Sequence, residues 1–242
     1  MGLFAFGGKA VPKGASPGAL VQASEGRPDG AFAGSAQRLV QRLLDVGIDG
    51  SGPFDSARTV ADAALRENAH PEAAVAAVTS RHLRLATASG FVTSLGGFVT
   101  LPVALPANVA GFYLLSTRMT AAVATLRGYD VTERHIRTAV LLTLVGADAD
   151  DLLAKAGLVV PTGRLSSLAA QRLPGPALMV VNKAVGFRIL SSAGRDVFSR
   201  FGRAVPLVGG VVGAGMDAWL FHRIVDQAKR EFPPMAGQIT AG

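Results

Sequence analysis

The residues in this chain whose types could do chemistry are few, and their spacing argues against most of it. His70, His82, His135 and His222 lie far apart, and none belongs to the HExxH pair that sets two imidazoles on one helix face for zinc. Each reads as a lone structural histidine. Asp148, Asp150 and Asp151 in "DADD" could approach a divalent cation, but the loop pattern of a calcium site is missing, and acidic residues opening a helix suit its dipole. "GGVVGAG" at 209–215 is neither GxGxxG nor GxxxxGK[ST], and no strand pattern leads into it. Ser191 and Ser192 have no nucleophile-elbow context. Cysteine is absent, which excludes disulfides, thiol catalysis and cysteine-ligated zinc. The residues support no enzyme: no catalytic group, metal ligand or cofactor site is assigned.

The elements that would position such groups are helical throughout, and no long alternating pattern suggests a strand. Residues 1–33 are rich in Gly, Ala, Pro and Ser without period and read as a flexible tail. A stripe of Leu39, Val40, Leu43, Leu44 and Val46 predicts a helix capped by Ser35 and stopped near Gly47. Asp55 is expected to cap a second helix reaching Asn68, and Pro71 to open a third. Thr132 is a candidate cap for the apolar segment from Ile136 to Val145. Residues 161–176, with three prolines, read as a connection. The expected architecture is all-α, a single multi-helix bundle over residues 34–235, with a short flexible C-terminus at 236–242.

Two uncharged stretches dominate this pattern. Thirty-three residues between Arg84 and Arg118 carry no charge, enough to cross a bilayer, which takes about 20 apolar residues. Pro102 and Pro106 interrupt that run, and each costs about 3 kcal/mol inside a helix. The stretch therefore reads as two arms, one ending near Val99 and the other starting around Pro106. The second stretch, Ala204–Met216, holds Gly209 and Gly213 at GxxxG spacing, which lets another backbone approach closely. Gly90 and Gly97 repeat the idea at seven-residue spacing.

Charge sharpens this picture. Residues 1–82 balance eight basic against eight acidic side chains, so the formal +7 lies wholly in residues 83–242. It is densest from Arg164 to Arg203, where seven basic residues meet only Asp196. Such a surface suits anionic lipid headgroups. Nucleic acid is not an expected partner, because the basic residues lack interleaved aromatics and any known module. The start "MGLFAFGGKA" lacks the basic region and sustained apolar run of a secretory signal, so an unprocessed cytoplasmic protein is expected.

Three blocks in order, "GGFVTLPVALPANVAGFYLLSTRMTAAVATLRGYD", "IRTAVLLTLVG" and "VPLVGGVVGAGMDAWLFHRIVDQAKREF", make the sequence similar to the EcsC family of bacterial proteins. The likeness spans roughly residues 70–232. It implies a helical domain in a membrane-associated context, named for an operon that encodes an ABC transporter, and it supplies no catalytic residues.

The resulting expectation is a non-enzymatic peripheral protein at the inner face of the membrane. Its partner would be an anionic membrane surface or lipid, or a membrane protein complex. Phe91, Phe98, Leu101, Leu105, Phe112, Val208, Val211 and Val212 are the candidate apolar contacts, and Arg188, Arg195, Arg200 and Arg203 the candidate headgroup contacts. Two alternatives stand beside it: a soluble helical adaptor whose apolar hairpin is core, and a carrier that encloses a hydrophobic ligand.

Overall fold

The structure is a computed structural model that describes residues 30–95, 101–146, 180–186, 189 and 206–235. In 30–33, 35, 89–95, 101–109, 206–214, 216 and 217 the description is of the helical backbone alone. Among the described residues six α-helices stand out: α1 Gly30–Arg42, α2 Ala57–Glu67, α3 Pro71–Leu95, α4 Leu101–Leu126, α5 Arg134–Val145 and α6 Pro206–Glu231. A π-helical turn, Leu43–Ile48, continues α1, and residues 180–186 are helical. Among the described residues there is no strand, only an isolated bridge between Ser51 and Phe54. The all-α expectation holds.

Local chemistry sets the helix ends, and several differ from expectation. α1 begins at Gly30, not at Ser35, so its first residues overlap the expected tail. It does not stop at Gly47, because the chain widens into π turns there and Asp49 N–H reaches back to Leu44 O at 3.2 Å. The cap of α2 is Ser56, not Asp55: its hydroxyl accepts from Thr59 N–H at 3.0 Å. Thr132 does not cap α5 but donates to Asp130 within a turn, and Glu133 takes the cap position. Pro71 does open α3, and Gly128, at φ +91°, sits just past the end of α4.

The proline-containing stretch needs the largest correction. α3 ends at Leu95, and α4 starts at Leu101 with Pro102 and Pro106 both inside it. Pro102 falls in the first turn, where the missing N–H would have no helical partner in any case. Pro106 forfeits one bond, to the carbonyl of Pro102. The helix thus runs through "LPVALP" without the expected break.

From Phe112 onward α4 is the centre of the bundle, packed against α2, α3, α5, α6 and the π turn. Met119, Thr120, Ala121, Ala122, Val123, Ala124 and Leu126 are all buried, while Leu114, Leu115, Arg118 and Thr125 are half-buried. Alanine and threonine make that burial feasible by letting neighbours approach closely. The buried hydroxyls return to the helix itself: Ser116 Oγ donates to Phe112 O at 2.8 Å and Thr117 Oγ1 to Tyr113 O at 2.7 Å. The π turn packs most tightly at Gly47, where an added Cβ would lie 2.8 Å from Thr117 Cγ2. Gly186 meets α1 in the same way, 2.6 Å from Ala36 O.

Candidate lipid interface

Side-chain pairs fix the helix directions. Arg127, at the end of α4, bonds Glu72 at the start of α3, so these two helices are antiparallel. Arg127 Nη1 also donates to Lys229 O at 2.7 Å and Phe232 O at 2.8 Å, at the end of α6. Further along, the Phe112 ring meets Phe221 edge-on at 5.9 Å, so α4 and α6 run parallel. α3, α4 and α6 therefore share two common ends. One is clamped by Arg127. The other is reached by the C-terminal part of α3 and the N-terminal parts of α4 and α6.

Among the described residues, that second end carries no charge over a considerable length. Beyond Arg84, α3 continues through residues 85–95, and before Arg118, α4 supplies residues 101–117. α6 adds residues 206–216, before Asp217. At about 1.5 Å per residue, the arms of α3 and α6 each extend roughly 16 Å, close to half of a ~30 Å hydrocarbon core. Among the described residues no helix is long and apolar enough to cross a membrane.

A belt of polar and interfacial side chains lies where the charge resumes. Trp219, the only tryptophan, is 60% exposed, and the Arg223 guanidinium sits 4.9 Å from its ring centroid. His222 is exposed beside them, and Arg81, Arg84 and Leu85 are exposed on α3. An amphipathic ring next to a guanidinium is the arrangement that favours a membrane–water boundary.

Arg118 and His82 form the polar interior at this level. Arg118 is the sole charged residue of α4, and its Nε is buried without a hydrogen-bond partner. Phe54 lies 5.8 Å from its guanidinium. Burial lowers the Arg118 pKa, Asp55 opposes that shift, and Arg81 adds to it. His82 is 2% exposed, and its Nδ1–H donates to Val78 O at 2.9 Å, leaving Nε2 as an unpartnered acceptor. Burial, against the pull of that carbonyl, takes its pKa to about 4, and Arg118 and Arg81 push in the same direction. The imidazole is therefore neutral at pH 7. No group of three or more His, Asp or Glu could hold a metal among the described residues.

The sequence-derived candidates distribute unevenly over this framework. Phe112, expected at a lipid surface, is 8% exposed and packs in the core against Tyr113 and Phe221, because α6 covers that face of α4. Phe91 and Gly90 fall on the backbone of α3, Leu101 and Leu105 on α4, and Val208, Gly209, Val211, Val212 and Gly213 on α6. All of these lie on the uncharged end. Phe98, Gly97, Arg188, Arg195, Arg200, Arg203, the "DADD" aspartates, Ser191, Ser192 and the 161–176 connection lie outside the described residues. Trp219, Arg118 and the Arg127–Glu72 pair escaped the sequence reading. Two signals were there to find: a single tryptophan four residues before an arginine, and one arginine in an otherwise uncharged 26-residue helix.

The fold and its two unlike ends define an all-α bundle with a polar clamp at one end and, among the described residues, uncharged helix arms at the other. The model of the EcsC protein family matches residues 55–233, and the chain belongs to that family. Compared with curated proteins and with solved structures, the chain matches none.

Proposed function

We propose that the protein is a non-enzymatic peripheral membrane protein that seats the uncharged end of its bundle in one leaflet. The observation that carries this reading is the convergence of three uncharged helix arms at one end, behind a belt that includes Trp219 and Arg223. Each arm of α3 and α6 has about the depth of one leaflet. Basic residues of the belt then face anionic headgroups, at about 1 kcal/mol each near the surface. The formal charge of +7 adds a longer-range attraction to the anionic inner face of a cell membrane. A membrane protein complex could be reached through the same seating.

Flotation with vesicles tests this directly. Full-length protein should float with phosphatidylglycerol-containing vesicles at low salt, and less so with phosphatidylcholine alone. Added salt should weaken but not abolish it, because the apolar contact is not screened. Protein that remains in the dense fraction with both vesicle types contradicts the reading and favours the soluble adaptor.

A further inference from the structure

We propose that the exposed turn Gly50–Phe54 is a second membrane-contacting element, which sets Phe54 at the interface of an anionic bilayer and stands the bundle end-on. This orientation rests on the membrane reading above, to which it adds a contact residue on a different face of the bundle.

The turn is uncharged, open to water and tightly built. Ser51, Gly52, Pro53 and Phe54 are all exposed, and Phe54 keeps 42% of its surface in solvent. Phe54 N–H donates to Ser51 O at 3.2 Å across the turn. Gly50 and Gly52 supply its left-handed corners, at φ +80° and +60°. At Gly50 the fit is close, since an added Cβ would lie 2.6 Å from Ser56 N and 2.8 Å from Phe54 O. Ser56 in turn caps α2 through Thr59 N–H. Backbone therefore holds the ring outward, and a ring already held loses little further freedom when it is immersed.

A single exposed apolar side chain is ordinary on a protein surface. The height of Phe54 along the bundle distinguishes it. Its ring lies 5.8 Å from the guanidinium of Arg118, where the uncharged arm of α4 ends. At about 1.5 Å per residue, Arg118 stands roughly 14 Å along α4 from Arg127, and Trp219 roughly 15 Å along α6 from Lys229, which Arg127 holds. The pairs Phe54–Arg118 and Trp219–Arg223 thus both stand where charge resumes, with Trp219 the nearer to the tip, as the Phe112–Phe221 contact requires. Exposed Arg81 and Arg84 on α3, roughly 14 and 18 Å from Glu72, supply cations at a similar height for anionic headgroups. Of the carboxylates flanking the turn, Asp49 is paired with Arg137 at 2.6 Å and Asp55 is exposed.

The two aromatic pairs occupy different faces. The turn leads into α2, and α2 and α6 both pack against α4 with little packing between them among the described residues. A bundle lying on its α6 face would lift the turn away from the surface, whereas one standing on its uncharged end brings both pairs to the interface. Leu65, also 42% exposed, marks the other end of α2, which stops at Glu67 shortly before Pro71 and the clamp. End-on seating leaves Leu65 in water.

The chain has no cysteine, so Phe54→Cys and Leu65→Cys each offer a single site for a nitrobenzoxadiazole dye, with Trp219 retained. With phosphatidylglycerol-containing vesicles, the dye on Phe54→Cys should brighten and shift to the blue. Lipid spin labels near the headgroup should quench it more than labels near the bilayer centre. The dye on Leu65→Cys should not respond. Phe54→Ser should weaken vesicle partition about fivefold or more, and Leu65→Ser should leave it unchanged. An unresponsive dye on Phe54→Cys, in protein that still floats, overturns the proposal and leaves the membrane reading standing. A response from both dyes means that α2 lies along the surface, which overturns the end-on orientation. Wild-type protein that does not float defeats the membrane reading itself, and this orientation with it.

Discussion

Arg127 donates from Nε and Nη2 to the two carboxylate oxygens of Glu72, at 3.0 and 2.9 Å, and with Nη1 it holds two carbonyls at the end of α6. One side chain thereby joins the start of α3 to the ends of α4 and α6. Nearby, Met235 N–H donates to Arg127 O at 3.1 Å and Tyr129 Oη to Pro233 O at 3.0 Å. This clamp sets which helix ends meet, and so which end is left uncharged.

Removing the clamp should be costly, and unequally so for its partners. Arg127 is 8% exposed whereas Glu72 is 57% exposed. Arg127→Met leaves two carbonyls without their donor, and should destabilise by about 2–4 kcal/mol in urea unfolding. Glu72→Gln keeps the carbonyl bonds and should cost about 1 kcal/mol or less. Equal losses would mean that the ion pair, not the carbonyl contacts, holds the helices together.

Glycine substitutions should split by location. Gly186→Ala drives a Cβ to 2.6 Å from the Ala36 backbone oxygen, and Gly47→Ala brings one to 2.8 Å from Thr117 Cγ2. Both should destabilise, by about 1–3 kcal/mol, with Gly186 the worse because backbone cannot swing aside. Gly111 has nothing within 4 Å of such a Cβ and lies inside α4. Gly111→Ala should therefore raise stability by about 0.5–1 kcal/mol, read from the shift in thermal midpoint.

His82 predicts an acid weakness. Its pKa is about 4 in the folded chain against 6.5 when unfolded, so between those values the unfolded state binds more protons. The stability tied to neutral His82 is complete above pH 6.5 and lost as pH falls toward 4, roughly 3 kcal/mol in all. The positive charges of Arg118 and Arg81 oppose protonation throughout this range. His82→Leu should flatten the pH dependence of the denaturation midpoint over that window, and an unchanged slope would assign the effect elsewhere.

What was legible in the sequence follows the range of the forces involved. Pro71, Gly128 and the amphipathic stripe of α1 act locally, and they are visible as single residues or short periods. The burial of most of Met119–Leu126 was visible only as apolar composition, because nothing in one helix records that five other segments pack against it. Phe112 was misplaced for the same reason: an apolar residue reads alike against lipid and against Phe221. The Arg127–Glu72 clamp and the electrostatic influence of Arg118 on His82 depend on pairs far apart in the chain, which spacing does not encode. Pro106 shows the converse, a strong local signal overridden by its position near a helix start.

The central claim is that the uncharged end enters one leaflet with Trp219 at its boundary. Since Trp219 is the only tryptophan, its fluorescence reports that boundary alone. Full-length protein mixed with phosphatidylglycerol vesicles carrying brominated acyl chains should show a blue-shifted emission. Quenching should be stronger from bromines near the headgroup than from bromines near the bilayer centre. Emission unchanged in wavelength and unquenched at both depths, in protein that is folded, would contradict the account.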